Sequence, residues 1–303
     1  MSDTGGFPLV GGSPAFPGKN NVVRDSSGSN SFGWENLNVG NLSVVGGYRN
    51  KVIGSYSSAV GSGCVATGVN SLAAGFGSVA SGASSVAFGL SCSAASLYSF
   101  ASGQNSVANG STSTAIGSSA TASGTSSVAF GVISNASATC SFAIGYYTHS
   151  TRFGEFSQGS YGIGFLGSCQ RGTVLFSNQS TSVTPVILYL DGTLATQRAV
   201  LAAGARWKCT LEIIATTTGA IDKSASWEYK FQIDRPTTAA TTIIRTTPLL
   251  TLSDGSNAGA PPVGWSVAIT ADTTNGCPQI QVTGDTDTIN WTAALHYVQS
   301  IRV

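Results

Sequence analysis

From Gly33 to Gly145 every seventh residue is glycine, with Ser96 and Ala138 the exceptions, and from Ala59 to Ala143 an alanine stands two residues ahead of each of these points. Serine marks a second period: Ser43, Ser57, Ser71, Ser85, Ser99, Ser113, Ser127 and Ser141 recur every fourteen residues, giving units such as SSAVG, SLAAG, SVAFG and SFAIG. Fixed self-similarity over this length restricts the stretch to a solenoid, in which each coil covers the one before it.

A fourteen-residue coil divides into two half-coils, each a short strand followed by a glycine that can take the positive φ of a sharp corner. Alternate side chains of a strand face opposite ways, so the Ser and Ala of S-x-A-x-G share one face and the two x positions the other. The small residues must be the interior, because a flattened tube of such short strands holds little more than methyls and hydroxyls. The outward positions of the Ser-marked half-coils are apolar: Leu72, Val86, Phe88, Phe100, Ile116, Val128, Phe130, Phe142 and Ile144 all fall there. The matching positions of the other half-coils read Thr67, Ser81, Ala95, Asn109, Ser123 and Ser137, which suit water. An exposed apolar ladder of this extent marks an association surface, and the expected occupant is another copy of the chain.

The units SVAFG, SFAIG and STAIG at fourteen-residue spacing resemble the head repeats of trimeric autotransporter adhesins of the YadA type, over about residues 40 to 147. That resemblance implies a left-handed parallel β-roll in a homotrimer, with the nine apolar residues named above at the trimer interface. A Gly/Ser-rich linker is the alternative reading of such composition. It fails because residues 52–151 contain no Asp, Glu, Lys or Arg, and a charge-free segment with phased Val, Phe and Ile would aggregate if unfolded.

The 303 residues allow about two domains, and 20 of the 27 charged residues lie beyond residue 151. We therefore divide the chain into an extended arm over 1–32, a β-roll over 33–147, a neck over 148–172 that caps the roll's open end, and a C-terminal domain over 173–303. The arm carries Pro8, Pro14 and Pro17 and no periodicity, and is expected to attach the protein to other virion proteins, with Phe7, Phe16 and Trp34 as anchors. The N-terminus has neither the basic region nor the apolar run of a secretory signal. A net charge of +1 argues against nucleic acid as partner, and the lack of a long apolar run argues against membrane insertion.

In the C-terminal domain, Trp227, Tyr229, Phe231 and Ile233 alternate with Glu228, Lys230, Gln232 and Asp234, as in a strand with one wet face. Further strands are expected at 186–190, 211–214, 265–269, 280–282 and 289–297, with turns at Asp254-Gly255, Asn275-Gly276 and Gly284-Asp285. The reading is an antiparallel β-sandwich, so the fold class is all-β throughout. The segments TPVILYLDG, WEYKFQIDR and WSVAITADTTNG resemble the terminal domain of phage tail-fibre-like virion proteins. That resemblance implies a virion location, and cysteines without paired spacing fit assembly in a reducing host cytoplasm. The domain is expected to face a host surface glycan or protein, with Tyr189, Trp207, Trp227, Trp265 and Trp291 as candidate receptor contacts, because binding hot spots favour Trp, Tyr and Arg.

Catalysis has little to work with. His149 and His296 are the only histidines, and His296 falls on the solvent face of a strand. Asp285 and Asp287 could bind calcium or pair in glycan hydrolysis, but read first as a polar turn. We expect no enzyme activity, no cofactor and no metal. Cys64 and Cys92 are two coils apart, roughly 10 Å at strand spacing, beyond disulfide reach. The other four cysteines show no paired spacing, so all six thiols are expected free. Three functions remain: a trimeric virion fibre or short spike for host attachment, a capsid-decorating or cement trimer, and a bacterial surface adhesin.

Overall fold

The computed structural model describes residues 20–23, 28–160, 166–218, 223–255 and 261–301. It falls into two compact units, one running to Ile133 and the other starting at Ser134.

In the first unit each fourteen-residue coil supplies one five-residue and one two-residue strand. The long strands, such as Ser58–Ser62, Leu72–Phe76, Val86–Leu90 and Phe100–Gln104, pair in parallel with each neighbour one coil away, Val86 opposite Phe100 and Phe88 opposite Ser102. The short strands, such as Val65–Ala66, Val79–Ala80 and Ser93–Ala94, form a second parallel sheet in the same register. The interior is as narrow as the repeat requires: Ala59, Ala73 and Ala87 and the serines fourteen residues apart are fully buried, and the largest fully buried side chains of this unit are Val45 and Val52.

Buried hydroxyls need acceptors, and glycine carbonyls provide them. Ser71 Oγ donates to Gly68 O and Ser85 Oγ to Gly82 O, both at 2.7 Å. A third interior column, Asn36, Asn50, Cys64, Ser78, Cys92 and Ser106, lines the opposite corner. There Asn50 Nδ2 donates to Gly61 O at 2.8 Å, Ser78 Oγ to Gly89 O at 3.0 Å and Ser106 Oγ to Gly117 O at 2.9 Å. Cys64 and Cys92 thus stand in for small polar residues, buried and unpaired like the remaining cysteines are unpaired.

The glycine period has two causes rather than the single one expected. Gly61 sits inside a long strand with φ of +124°, where a side chain is strained. Gly68, seven residues on, has no positive φ; a Cβ there would lie 2.0 Å from the carbonyl oxygen of Gly82, so close stacking excludes it. The left-handed corners lie at other positions, every seventh residue from Glu35 to Ile133, with φ from +50° at Leu42 to +67° at Gly63. Most of these residues are not glycine. Left-handed backbone costs a side-chain-bearing residue about 1 to 2 kcal/mol, and each corner from Arg49 to Ile133 is held by a backbone bond to the neighbouring coil, as in Asn70 N to Ser55 O at 3.0 Å and Ser84 N to Val69 O at 2.8 Å.

The second unit starts with the same geometry. Asn135–Ala136 pairs with His149–Ser150, and Phe142–Tyr146 with Phe156–Gly159. Parallel pairing also starts early, at Val22–Val23 with Leu37–Asn38. Coils thus extend past both ends of the stretch where glycine keeps phase. Phe156–Gly159 then pairs antiparallel with Cys169–Ser180, the first strand of the C-terminal sheets, which continue in the order Ile289–Ile301, Ala205–Thr217, Ser224–Asp234 and Ile243–Gly255. A three-stranded sheet of Val186–Ile187, Cys277–Thr283 and Ser266–Asp272 completes the sandwich, and Trp207, Leu211, Phe231, Ile280, Trp291 and Leu295 belong to its core. Asn275-Gly276 is a turn as expected, whereas Asp254-Gly255 lies within the strand Ile243–Gly255, paired with Ser226 and Ala225.

Close stacking and left-handed corners make different demands on glycine, and the two separate under mutation. Gly68→Ala is expected to lower stability by more than about 1 kcal/mol, since the backbone must open to admit the methyl, while Ser84→Gly at a left-handed corner leaves the melting temperature unchanged or raised. Thermal melts of the two variants check this.

Candidate association surface

The long strands present three outward columns per coil, at their first, third and fifth residues. Of the expected ladder, Leu72, Phe88 and Phe130 are exposed, Phe88 to 56%, and Val86, Phe100, Ile116 and Val128 are half-buried. Phe142 and Ile144 in the second unit are half-buried in the equivalent positions, and the Phe142 ring stacks on Phe156 at 5.3 Å. All nine residues therefore stand outside the coil.

Sequence reasoning missed the third column. The residue after each strand glycine is also outward, and Trp34, Tyr48, Phe76, Leu90 and Val132 are exposed there. Its signal was available in the fourteen-residue period, one position past the glycine. Trp34, grouped with the arm by sequence, closes the strand Asn30–Trp34 and belongs to this column; Phe7 and Phe16 lie outside the described residues. The apolar exposure is also not confined to one half-coil. Val65 and Val79 are half-buried on the short sheet, and Tyr56, Leu97 and Tyr98 are exposed near a corner.

The aromatic receptor candidates of the C-terminal domain need correction. Trp207, Trp227, Trp265 and Trp291 are buried core residues, the most exposed being Trp265 at 6%, and no ligand can stack on them. Trp207, Trp227 and Trp291 occupy the inward positions of alternating strands, and Trp265 immediately precedes the strand Ser266–Asp272. Trp207 stacks on Tyr297 at 4.2 Å and Trp291 lies 5.6 Å from Trp227. Indole N–H groups need partners when buried: Trp207 Nε1 donates to Gln299 Oε1 at 2.6 Å and Trp291 Nε1 to Ser180 Oγ at 2.9 Å. Tyr189 alone is partly exposed, and its ring carries the Arg198 guanidinium 4.8 Å from the centroid. Arg198 is held by Asp272 at 3.1 Å. Burial alone would raise the Asp272 pKa, but hydrogen bonds from Asn275 and Thr274 and the Arg198 charge hold it below the usual carboxylate range.

The remaining ionisable candidates are occupied by structure. Lys223 Nζ lies 3.0 Å from Asp285 Oδ2 and 2.6 Å from Asp287 Oδ2, and Trp265 Nε1 donates to Asp285 at 3.0 Å, so both carboxylates are engaged from within the fold. His296 projects from the outer face of its strand, 2.9 Å from Thr173 Oγ1. Burial pushes the His149 pKa down, which keeps its ring uncharged at neutral pH. Among the described residues no group of three or more His, Cys, Asp or Glu could hold a metal ion, and no helix is long and apolar enough to cross a membrane.

One buried ion pair stands out at the end of the coils. Glu155 occupies the interior position of the fourteen-residue serine column and is fully buried. It pairs with Arg152 at 2.6 Å, accepts from Thr151 N at 2.7 Å and Arg152 N at 3.0 Å, and receives the Tyr297 hydroxyl. Arg152 also donates to Val200 O at 2.7 Å and lies over the Trp207 ring at 4.4 Å. Removing one member of such a pair would strand a buried charge.

Comparison with known proteins agrees with the repeat. The model of the YadA head domain repeat, in two copies, matches residues 66–91, 94–120 and 122–148, so the resemblance seen in the fourteen-residue units is met there. The crystal structure of the tailspike protein of Acinetobacter phage vB_ApiP_P1 is similar over 93% of this chain and 51% of its own, at 9% identity and a TM-score of 0.27; this chain spans about half the length of that structure. No curated protein matches the chain.

A charge on the ladder tests its role. Phe88→Lys is expected to lower the mass in solution toward that of one chain, because burying an unpartnered ammonium between copies is prohibitive. Sedimentation equilibrium at matched concentration reads the result.

Proposed function

We propose that this protein is a non-enzymatic trimeric fibre or short spike of a phage virion, attached through residues 1–32 and presenting its C-terminal sandwich to the host surface. The observation that carries the proposal is the exposed apolar ladder on a coil whose interior holds only small side chains. Burial of one Leu- or Phe-sized side chain is worth roughly 1.5 to 3 kcal/mol, so association of copies through Leu72, Phe88, Phe130 and their neighbours supplies what the narrow interior lacks. Threefold association follows the resemblance to YadA head repeats, and virion location follows the resemblance of the C-terminal strands to tail-fibre-like proteins. A trimer also multiplies weak single-site binding through avidity.

The burial of the four C-terminal tryptophans favours a second reading, that of a capsid-decorating or cement trimer. Tryptophan and tyrosine dominate binding hot spots, and here only Tyr189 of the candidates reaches the surface. The full chain, purified and added to susceptible cells, is expected to bind them and to compete with virions for adsorption. Failure to compete, together with copies distributed across the shell in a cryo-EM map of the virion, would replace the fibre with the cement.

A further inference from the structure

The long-strand sheet of the second unit does not stop at the last coil. Phe142–Tyr146 pairs with Phe156–Gly159, that strand with Cys169–Ser180, and the sheet runs on through Ile289–Ile301 to Ala205–Thr217. Inward positions stay aligned across the change from parallel to antiparallel pairing: Ser157 lies opposite Gly172, Gly172 opposite Tyr297, and Tyr297 opposite Cys209, all buried. The outward positions are therefore continuous as well. One outward row passes from Phe142 through Phe156 to Thr173 and His296, and the next from Ile144 through Gln158 to Arg171 and Val298.

On this outer face the sandwich leaves Leu175, Ile214 and Val298 exposed, Val298 to 61%, while the inward face of the same strands buries Trp207, Trp291 and Tyr297. A sheet face meant for water alternates to polar residues, and these three depart from that pattern. We infer that the outer sheet face of the sandwich is a contact surface for a second copy of this chain, continuous with the ladder. The inference rests on the self-association reading and extends it to a part of the chain the repeat does not reach. Two observations select a second copy. The face is the same sheet surface as the ladder residues Phe142 and Ile144 and the Phe156 ring stacked on Phe142, so neighbours meeting through the ladder are brought to it. Its charges come in both signs, Arg171 and Lys208 flanking Val298, and Glu212 and Glu228 on the row of Leu175, so an identical surface does not simply repel itself.

The test uses the full chain carrying Leu175→Glu and Val298→Glu together. Self-association measured by sedimentation equilibrium should weaken at least tenfold, with the strand signal in circular dichroism unchanged. A parallel measurement introduces Val298→Cys with Cys140→Ser and Cys169→Ser, leaving only buried native thiols, and a short bifunctional maleimide should then yield covalently linked copies. Association equal to wild type in the double variant, with no crosslink at position 298, overturns the inference while leaving the ladder in place if Phe88→Lys still dissociates the copies. A wild-type chain that sediments as a monomer overturns both.

Discussion

Coils stacked fourteen residues apart in strict register leave a tube whose interior holds alanine methyls, serine hydroxyls and a few small polar groups. Every other feature of the first unit follows from that stacking. Glycine is required where the backbone of one coil meets the next, as at Gly68, because a methyl would lie 2.0 Å from a carbonyl oxygen. Serine and asparagine are required at the corners because the carbonyls of those glycines need donors, which Ser71 and Asn50 supply. A tube so built cannot contain large apolar side chains, so those of the repeat stand outside it, and Phe88 at 56% exposure has nowhere else to go.

The end of such a stack is a hazard, since an unpaired strand edge invites another chain. Both sheets are closed within the second unit. Cys169–Ser180 pairs along Phe156–Gly159 and terminates the long-strand sheet's parallel run. The short-strand sheet ends at His149, whose backbone N–H donates to Gln170 Oε1 and whose carbonyl accepts from Gln170 Nε2, both at 3.0 Å. One glutamine side chain thus takes the place of the next strand's peptide group. Glu155 replaces serine in the interior column at the same level, where Arg152, Tyr297 and the stacked Trp207 meet it. The sandwich core and the coil end are held by one set of contacts, and the neck expected over 148–172 is in its first part still coil.

The solenoid was legible because its period repeats seven and fourteen residues apart, and the faces followed from strand alternation: Ala73 is buried and Leu72 exposed, as read. What escaped was anything without a period or with a signal of mixed cause. Left-handed corners such as Tyr98 and Ile133 carry no glycine because a backbone bond to the neighbouring coil holds them. In the sandwich, WEYKFQID announces its strand, but Ile243–Gly255 contains Pro248 and the pair Thr246-Thr247; it is the edge strand, with register shifts against its neighbour, where proline is tolerated. The tryptophans misled as contacts because large amphipathic rings serve cores and binding surfaces equally well. Only alternation along a full strand separates the two, and Trp207 and Trp291 lie on strands longer than the sequence alone delimited.

The central claim is that the outward ladder is buried between copies and supplies stability the tube cannot. A species stabilised by association melts at a temperature that rises with its concentration, because mass action favours the folded assembly. The direct measurement is the melting temperature of the full chain over a hundredfold dilution series, with mass in solution determined alongside. The account predicts a multimer of the single chain whose melting temperature falls steadily on dilution. A monomer with a concentration-independent melting temperature would contradict it.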